Sequence, residues 1–194
     1  MTWLVLGLII FLGSHSVRIF ANEWRQQTIA RIGANAWKGA YSVISIVGFV
    51  LIVIGFGAAN QGSTWLWYPP VWTRHLAALL ILFAFIFLAA AKLPMSKLKS
   101  KVGHPMVIGV KIWAFAHLLS NGTVADFVLF GSFLVWSIVL YARSRRLDRA
   151  NGVVYSGGAI KNDLLALVIG LLAYGLFAAV LHKWLIGISP FIAS

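Results

Sequence analysis

The stretch HLAALLILFAFIFLAAAK, residues 75–92, contains only apolar residues between its first and last positions. About 20 apolar residues in helical form cross the hydrocarbon of a bilayer, so this stretch predicts a transmembrane helix. Five further stretches share this character. The six predicted segments lie at about 2–20, 41–59, 75–92, 105–120, 124–142 and 163–184. The sequence therefore predicts an all-α, polytopic membrane helix bundle of about six transmembrane helices, with residues 1–194 as a single domain.

The composition excludes the usual soluble classes of protein. Of the 194 residues, 61% are hydrophobic and 10% are charged, whereas a soluble domain has roughly 25% charged residues. The chain has no cysteine, which excludes disulfides, iron–sulfur clusters and thiolate ligands to haem. The four carboxylates are Glu23, Asp126, Asp148 and Asp163. The chain therefore has few residues with which to build a catalytic site that depends on paired carboxylates.

Basic residues are sorted into three of the five predicted loops. These residues are Arg18, Arg25, Arg31, Lys38, Lys92, Lys97, Lys99, Lys101, Arg143, Arg145, Arg146, Arg149 and Lys161. The positive-inside rule predicts that these loops are cytoplasmic and that both termini lie on the non-cytoplasmic side. The net charge of +12 thus indicates topology and attraction to anionic membrane lipid, and it requires no nucleic-acid partner. Because Arg18 is the first basic residue, the first segment is predicted to be a retained helix and not a signal peptide.

Aromatic residues surround two prolines in the loop between the second and third segments. They are Trp65, Trp67, Tyr68 and Trp72. Amphipathic rings favour the level of the lipid headgroups, so this loop is predicted to be an interfacial belt. A lid over a ligand is the alternative.

Two histidines within the predicted spans are candidates for function, because an ionisable group in hydrocarbon is costly. His15 lies between two serines and is interpreted as a metal or haem ligand, or as a histidine bonded to a neighbouring helix. His117 follows Trp113 by four residues and precedes Asn121 by four, so these three share one helix face. Hydrogen bonds that stabilise the end of a helical hairpin are the alternative there.

Three further residues each have more than one interpretation. His104 directly precedes a proline and is predicted at a helix start, either at the mouth of a site or as an ordinary cap. Lys111, in the fourth segment, is predicted to snorkel, to pair with Asp126 or to face a cavity. Arg18 lies three residues after His15 and is either a partner for a haem propionate or an anchor at the membrane surface.

Two motifs make the chain similar to a known family. One is GSHSVR at residues 13–18, and the other is GHPMVIGVKIWAFAHLLSNG at residues 103–122. In these motifs the chain resembles the NnrU family, which includes bacterial proteins linked to denitrification and the plant 15-cis-zeta-carotene isomerases. The resemblance covers essentially the whole chain.

The resemblance implies a bacterial inner-membrane protein that binds haem b, with His15 and His117 as axial ligands and His104 as a further family histidine. Two histidines on different helices are the minimal means of holding such a haem. The predicted spans place His15 and His117 about 10–15 Å apart in depth at 1.5 Å per residue. A pairing of His15 with His104 is therefore the alternative.

Three functions remain open from the sequence. The first is a haem protein that acts on a small redox ligand or an apolar isoprenoid, with a membrane reductase or an electron donor as partner. The second is an accessory protein that helps assemble a denitrification reductase. The third, ranked last, is a small transporter with Lys111, His117 and Asp126 as its polar pathway.

Overall fold

The computed structural model describes residues 1–188 and residue 190, and most of these residues are helical. In chain order the helices are α1 (Thr2–Phe20), α2 (Asn22–Ile32), α3 (Ala34–Asn60), α4 (Val71–Lys92), α5 (Lys97–Val102), α6 (Pro105–Ser120), α7 (Val124–Ala150) and α8 (Ile160–Ile186). α8 contains a π-helical stretch at Phe177–Leu181.

All six predicted segments are helical, which confirms the prediction of an all-α multi-pass membrane protein. Among the described residues, α1, α3, α4, α7 and α8 are long and apolar enough to cross a membrane. α6 has 16 residues and is about 24 Å long at 1.5 Å per residue, which is short for a spanning helix. Several helices extend beyond the predicted segments, because the apolar pattern marks only the part that lies in hydrocarbon. α7, for example, continues to Ala150.

Two short helices, α2 and α5, are missing from the prediction because neither is apolar. α2 packs against α1 and α3 and keeps each of its residues at least partly exposed. α5 is held at its start by a distant residue, since the backbone N–H groups of Lys97 and Leu98 donate to the Asp163 carboxylate, each at 3.0 Å. Tertiary contacts therefore stabilise these two helices, and a local apolar pattern does not predict them.

Neighbouring helices pack in the order α3, α1, α7, α6, α4, α8. α7 runs parallel to α1, as two contacts in the same order along both helices show. Phe133 packs on Phe11 with ring centroids 5.9 Å apart, and Trp136 Nε1 donates to Ser16 Oγ at 2.9 Å. The other neighbours in this order run antiparallel. The bundle therefore has two ends with different side chains.

The three basic loops lie at one end of the bundle, which we call the basic end. Here His104, at the start of α6, meets Asp148 near the end of α7, and Lys97 meets Asp163 near the start of α8. The opposite end, which we call the aromatic end, carries the loop between α3 and α4. The structure thus places the three basic loops at one end of the bundle. That this end faces the cytoplasm stays a prediction.

Glycines bring α1 and α3 into backbone contact. A Cβ atom added to Gly7 would lie 2.6 Å from the backbone nitrogen of Ile52, and one added to Gly48 would lie 2.9 Å from that of Phe11. Small residues allow such close approach of membrane helices, where association depends on packing and not on the hydrophobic effect. This contact holds α1 firmly beside α3 and builds one wall of the site described below.

The loop at the aromatic end docks on the turn between α6 and α7. Leu66 N–H donates to the Gly122 carbonyl oxygen at 2.7 Å, and Trp67 Nε1 donates to the Asn121 carbonyl oxygen at 3.2 Å. The other three aromatic residues, Trp65, Tyr68 and Trp72, are exposed. Trp67 is therefore part of a protein contact, while the other three rings remain available to the membrane interface.

Asp126 serves the start of α7 and not Lys111. Thr123 N–H donates to the buried Asp126 carboxylate at 2.9 Å, and Asp126 N–H donates to Thr123 Oγ1 at 3.2 Å, which forms a capping box. The Lys111 ammonium lies 5.1 Å from the centre of the Tyr141 ring. The predicted option of a Lys111–Asp126 pair is wrong, since the two residues lie toward opposite ends of the bundle.

Candidate functional site

His15 has a defined orientation where α1, α3 and α7 meet. Its Nδ1 lies 2.7 Å from the carbonyl oxygen of Phe11, one turn earlier. Because a carbonyl oxygen only accepts, Nδ1 donates and Nε2 of the neutral ring keeps a lone pair. The ring packs on Phe11 at 4.2 Å, on Tyr41 at 5.3 Å and against the edge of Trp136 at 6.5 Å, between centroids. An imidazole held in this way is the usual form of a histidine that ligates a metal.

His15 also lines a cleft of about 390 Å³ at the basic end, between α1, α2 and α3. Three cationic side chains share the lining, and they are Arg18, Arg25 and Lys38. An apolar trough of about 370 Å³ adjoins the cleft and includes Ile9, Ile10, Trp24, Trp37 and Ile44. Cations beside an apolar trough suit an apolar molecule that carries anionic groups.

Sequence reasoning identified His15 and Arg18 but missed Arg25 and Lys38 as members of the cleft. Because α2 is polar, the apolar pattern does not predict it as a helix, and its position beside His15 depends on tertiary contacts. The sequence does contain a weak signal for the cleft, since Arg25 directly follows Trp24 and Lys38 directly follows Trp37. In the structure these two rings meet edge to face at 5.7 Å, which holds α2 against the start of α3.

His117 is partly buried and packs against aromatic side chains between α6 and α7. Its Nδ1 lies 2.9 Å from the Trp113 carbonyl oxygen, so its Nε2 also keeps a lone pair. The ring stacks on Phe130 at 4.5 Å and 24°, and its centroid is 5.0 Å from that of Trp113. Asn121 Nδ2 donates to the His117 carbonyl oxygen at 2.8 Å. The imidazole of His117 and the hydrogen bond from Asn121 that ends the helix therefore lie in the same turn of α6.

The structure brings His15 and His117 into one aromatic core but not into contact. Phe11 packs on Phe133 at 5.9 Å, and Phe133 packs on Trp113 at 5.3 Å, so a continuous series of ring contacts connects the two imidazoles. Among the described residues, no group of three or more histidine and acidic side chains could hold a metal ion by itself.

His104 belongs to a separate polar cluster at the basic end. Its Nε2 lies 2.8 Å from Asp148 Oδ2, and the Tyr155 hydroxyl donates to the same oxygen at 3.0 Å. Burial and then this hydrogen bond raise the pKa of Tyr155. The Arg145 guanidinium lies 3.4 Å from the carboxylate. Nε2 of His104 is thus engaged by Asp148, and His104 does not line the cleft at His15.

Removal of Asp148 is expected to weaken the basic end. Asp148→Ala leaves the ring nitrogen of His104 and the hydroxyl of Tyr155 without their shared acceptor, at a site where the Asp148 side chain is only 14% exposed. We expect the free energy of unfolding to fall by about 1–3 kcal/mol, measured by thermal unfolding in detergent. Glu23→Ala, at an exposed acidic residue of α2, is the control and should change it by less than about 0.5 kcal/mol. Equal effects of the two variants would contradict a stabilising role for the cluster.

Comparison with known proteins gives one match. A family model with the description "NnrU protein" matches residues 3–190. No curated protein and no solved structure matches the chain. The match includes both motifs, the helices that carry His15, His104 and His117, and nearly all of the described chain. The chain therefore belongs to the NnrU family.

Proposed function

We propose that this multi-pass membrane protein binds haem b and acts in nitrite or nitric oxide metabolism. Its family membership supports the proposal. The observation that carries it is the position of His15, whose Nε2 keeps a lone pair and whose ring lines a cleft with three cations. The proposed sources of iron ligands are the two histidines implied by the family motifs, His15 and His117.

The residues at the cleft fit the chemistry of a haem, which is a broad apolar ring with two propionate groups. Arg18, Arg25 and Lys38 would hold the propionates through charge-assisted hydrogen bonds. The adjoining apolar trough would shield part of the ring from water. The hydrogen bond from His15 Nδ1 to the Phe11 carbonyl oxygen would orient the imidazole and raise its basicity as a ligand.

A bound haem supplies one-electron chemistry and binding of small ligands at the iron. We place this activity in the bacterial inner membrane and link it to denitrification, with a membrane reductase or an electron donor as partner. Haem-dependent cis–trans isomerisation of an isoprenoid is the alternative activity. It is favoured by the apolar trough beside the cleft, which could accept a hydrocarbon chain.

The proposal is tested by absorption spectra of detergent-purified protein, oxidised and then reduced with dithionite, together with a pyridine haemochrome assay. We expect a b-type spectrum with about one haem per chain. The double variant Arg25→Gln, Lys38→Gln should lower haem content several-fold, because it removes two of the cations of the cleft.

Arg146→Gln, Lys161→Gln is the matched control, since these two basic residues are exposed at the same end outside the cleft lining. Its haem content should equal that of the wild type. Colourless wild-type protein after expression with ample haem would overturn the proposal. An accessory role in the assembly of a denitrification reductase would then take its place.

A further inference from the structure

We infer that α2 is a lid over the basic cleft, and that it closes when the anionic groups of a bound ligand reach Arg25. The inference rests on the proposed function, because the two propionates of a haem would be those groups. It concerns how the ligand enters the cleft and how long it stays there, and it is independent of which histidines reach the iron.

The first argument is the weak attachment of α2 to the bundle. None of its residues is buried. Trp24 meets the edge of Trp37 at 5.7 Å between ring centroids, and the Arg25 guanidinium lies 5.9 Å from the centre of the same Trp37 ring. Among the described residues, no side-chain hydrogen bond or salt bridge joins α2 to another helix. Because a segment with few buried contacts opens at a low cost in free energy, α2 can leave the cleft while the rest of the bundle stays folded.

The second argument is the presence of a joint at each end of α2. Ala21, between α1 and α2, departs from helical geometry with φ −135° and ψ 41°. Gly33, between α2 and α3, has φ 87° and ψ 155°, a conformation that is essentially restricted to glycine. Hinges are a few residues between rigid elements that take up a change in backbone angles. Rotation at these two positions would move α2 as a unit.

The third argument is the distribution of the three cations of the cleft. Arg18 belongs to α1 and Lys38 to α3, and only Arg25 belongs to the lid. In the described part of the chain no carboxylate lines the cleft, so these cations repel one another. An anionic ligand removes this repulsion, and it gains the contact with Arg25 only when α2 is closed. Since a ligand shifts a conformational equilibrium by the difference in its affinity for the two states, Arg25 supplies that difference.

The absence of cysteine from the chain allows the movement of α2 to be measured directly. Gln27→Cys on α2 and Ala142→Cys on α7 replace exposed residues outside the cleft lining, and each cysteine would carry a spin label. Pulsed electron paramagnetic resonance measures the distance between the two labels in haem-free protein in nanodiscs of neutral lipid. The probes are zinc protoporphyrin IX, which keeps both propionates, and its dimethyl ester, which has no anionic group.

We expect a broad distribution of distances without porphyrin, one narrow population with zinc protoporphyrin IX, and a distribution that stays broad with the ester. Arg25→Gln should abolish the narrowing. It should also speed porphyrin dissociation, measured by transfer to excess apomyoglobin, by about tenfold, a usual size for coupling between a ligand and a conformational change. Lys38→Gln, on α3, should weaken binding but still narrow the distribution at saturating porphyrin.

Arg31→Gln is the matched control, because it removes an exposed cation of α2 that lies outside the cleft lining, and it should behave as the wild type. Size-exclusion profiles show whether each labelled variant is folded. Porphyrin binding that leaves the distribution of distances unchanged would overturn the inference alone, as would equal narrowing with the ester or in Arg25→Gln. Wild type that carries no haem and binds no porphyrin would overturn the proposed function and the inference with it.

Discussion

Replacement of Gly7 by alanine is expected to lower the free energy of unfolding by about 1–3 kcal/mol, the range for overpacking of a tight contact. The added Cβ would lie 2.6 Å from the backbone nitrogen of Ile52 and 2.9 Å from the carbonyl oxygen of Gly48. Backbone atoms cannot rotate away as a flexible side chain can, so α1 and α3 must separate. Thermal unfolding of the purified protein in detergent measures the change.

Gly13→Ala is the control on the same helix, because a Cβ atom at Gly13 has no other atom within 4 Å. It makes the same chemical change on α1 without a clash, and we expect a melting temperature equal to that of the wild type or slightly higher. If Gly7→Ala and Gly13→Ala melt together, the close contact between α1 and α3 does not stabilise the protein.

Replacement of Gly122 by alanine is expected to release the loop at the aromatic end. A Cβ atom here would overlap the carbonyl oxygen of Trp67, at the point where the loop bonds to the turn between α6 and α7. The hydrogen bonds of Leu66 N–H to Gly122 and of Trp67 Nε1 to Asn121 would be lost together. We expect a loss of about 1–3 kcal/mol in unfolding free energy.

The loop itself offers a more direct readout of this release. Limited digestion with chymotrypsin, which cuts after aromatic residues, should cleave residues 65–68 several-fold faster in Gly122→Ala than in the wild type. Gly131→Ala is the control, since a Cβ atom at this position of α7 meets no atom within 4 Å. Equal cleavage rates in the two variants would mean that the loop is not held by the turn.

Much of the fold could be predicted from local sequence, because lipid removes most alternatives for an apolar stretch. Residues 75–92 had to form a helix, since every backbone N–H and C=O group in hydrocarbon needs a partner within the segment. The same pattern could not find α2 or α5, whose sequences are polar. It also could not show that Trp67 docks on protein while Trp65 remains exposed, because both are aromatic residues of one loop.

The candidate site was predictable only in part. His15 and His117 stand out in apolar helices, and their motifs lead directly to the family. The cleft needs Arg25 and Lys38 beside His15, and these residues meet only because α2 packs against both α1 and α3. Likewise, Tyr155 gave no local signal, and its role depends on the contact with Asp148 at the end of α7.

The sequence by itself determined a basic, cysteine-free membrane protein, the positions of its apolar helices, and two candidate histidines, His15 and His117, within them. These properties depend on hydropathy, charge and residue identity, which act locally along the chain. Only the tertiary structure decided that His15 opens onto a basic cleft while His117 is packed in a row of rings. Depth and rotation of each helix come from contacts such as Gly7 against Ile52 and Phe133 against Phe11, and such contacts between distant residues leave no mark in a single sequence.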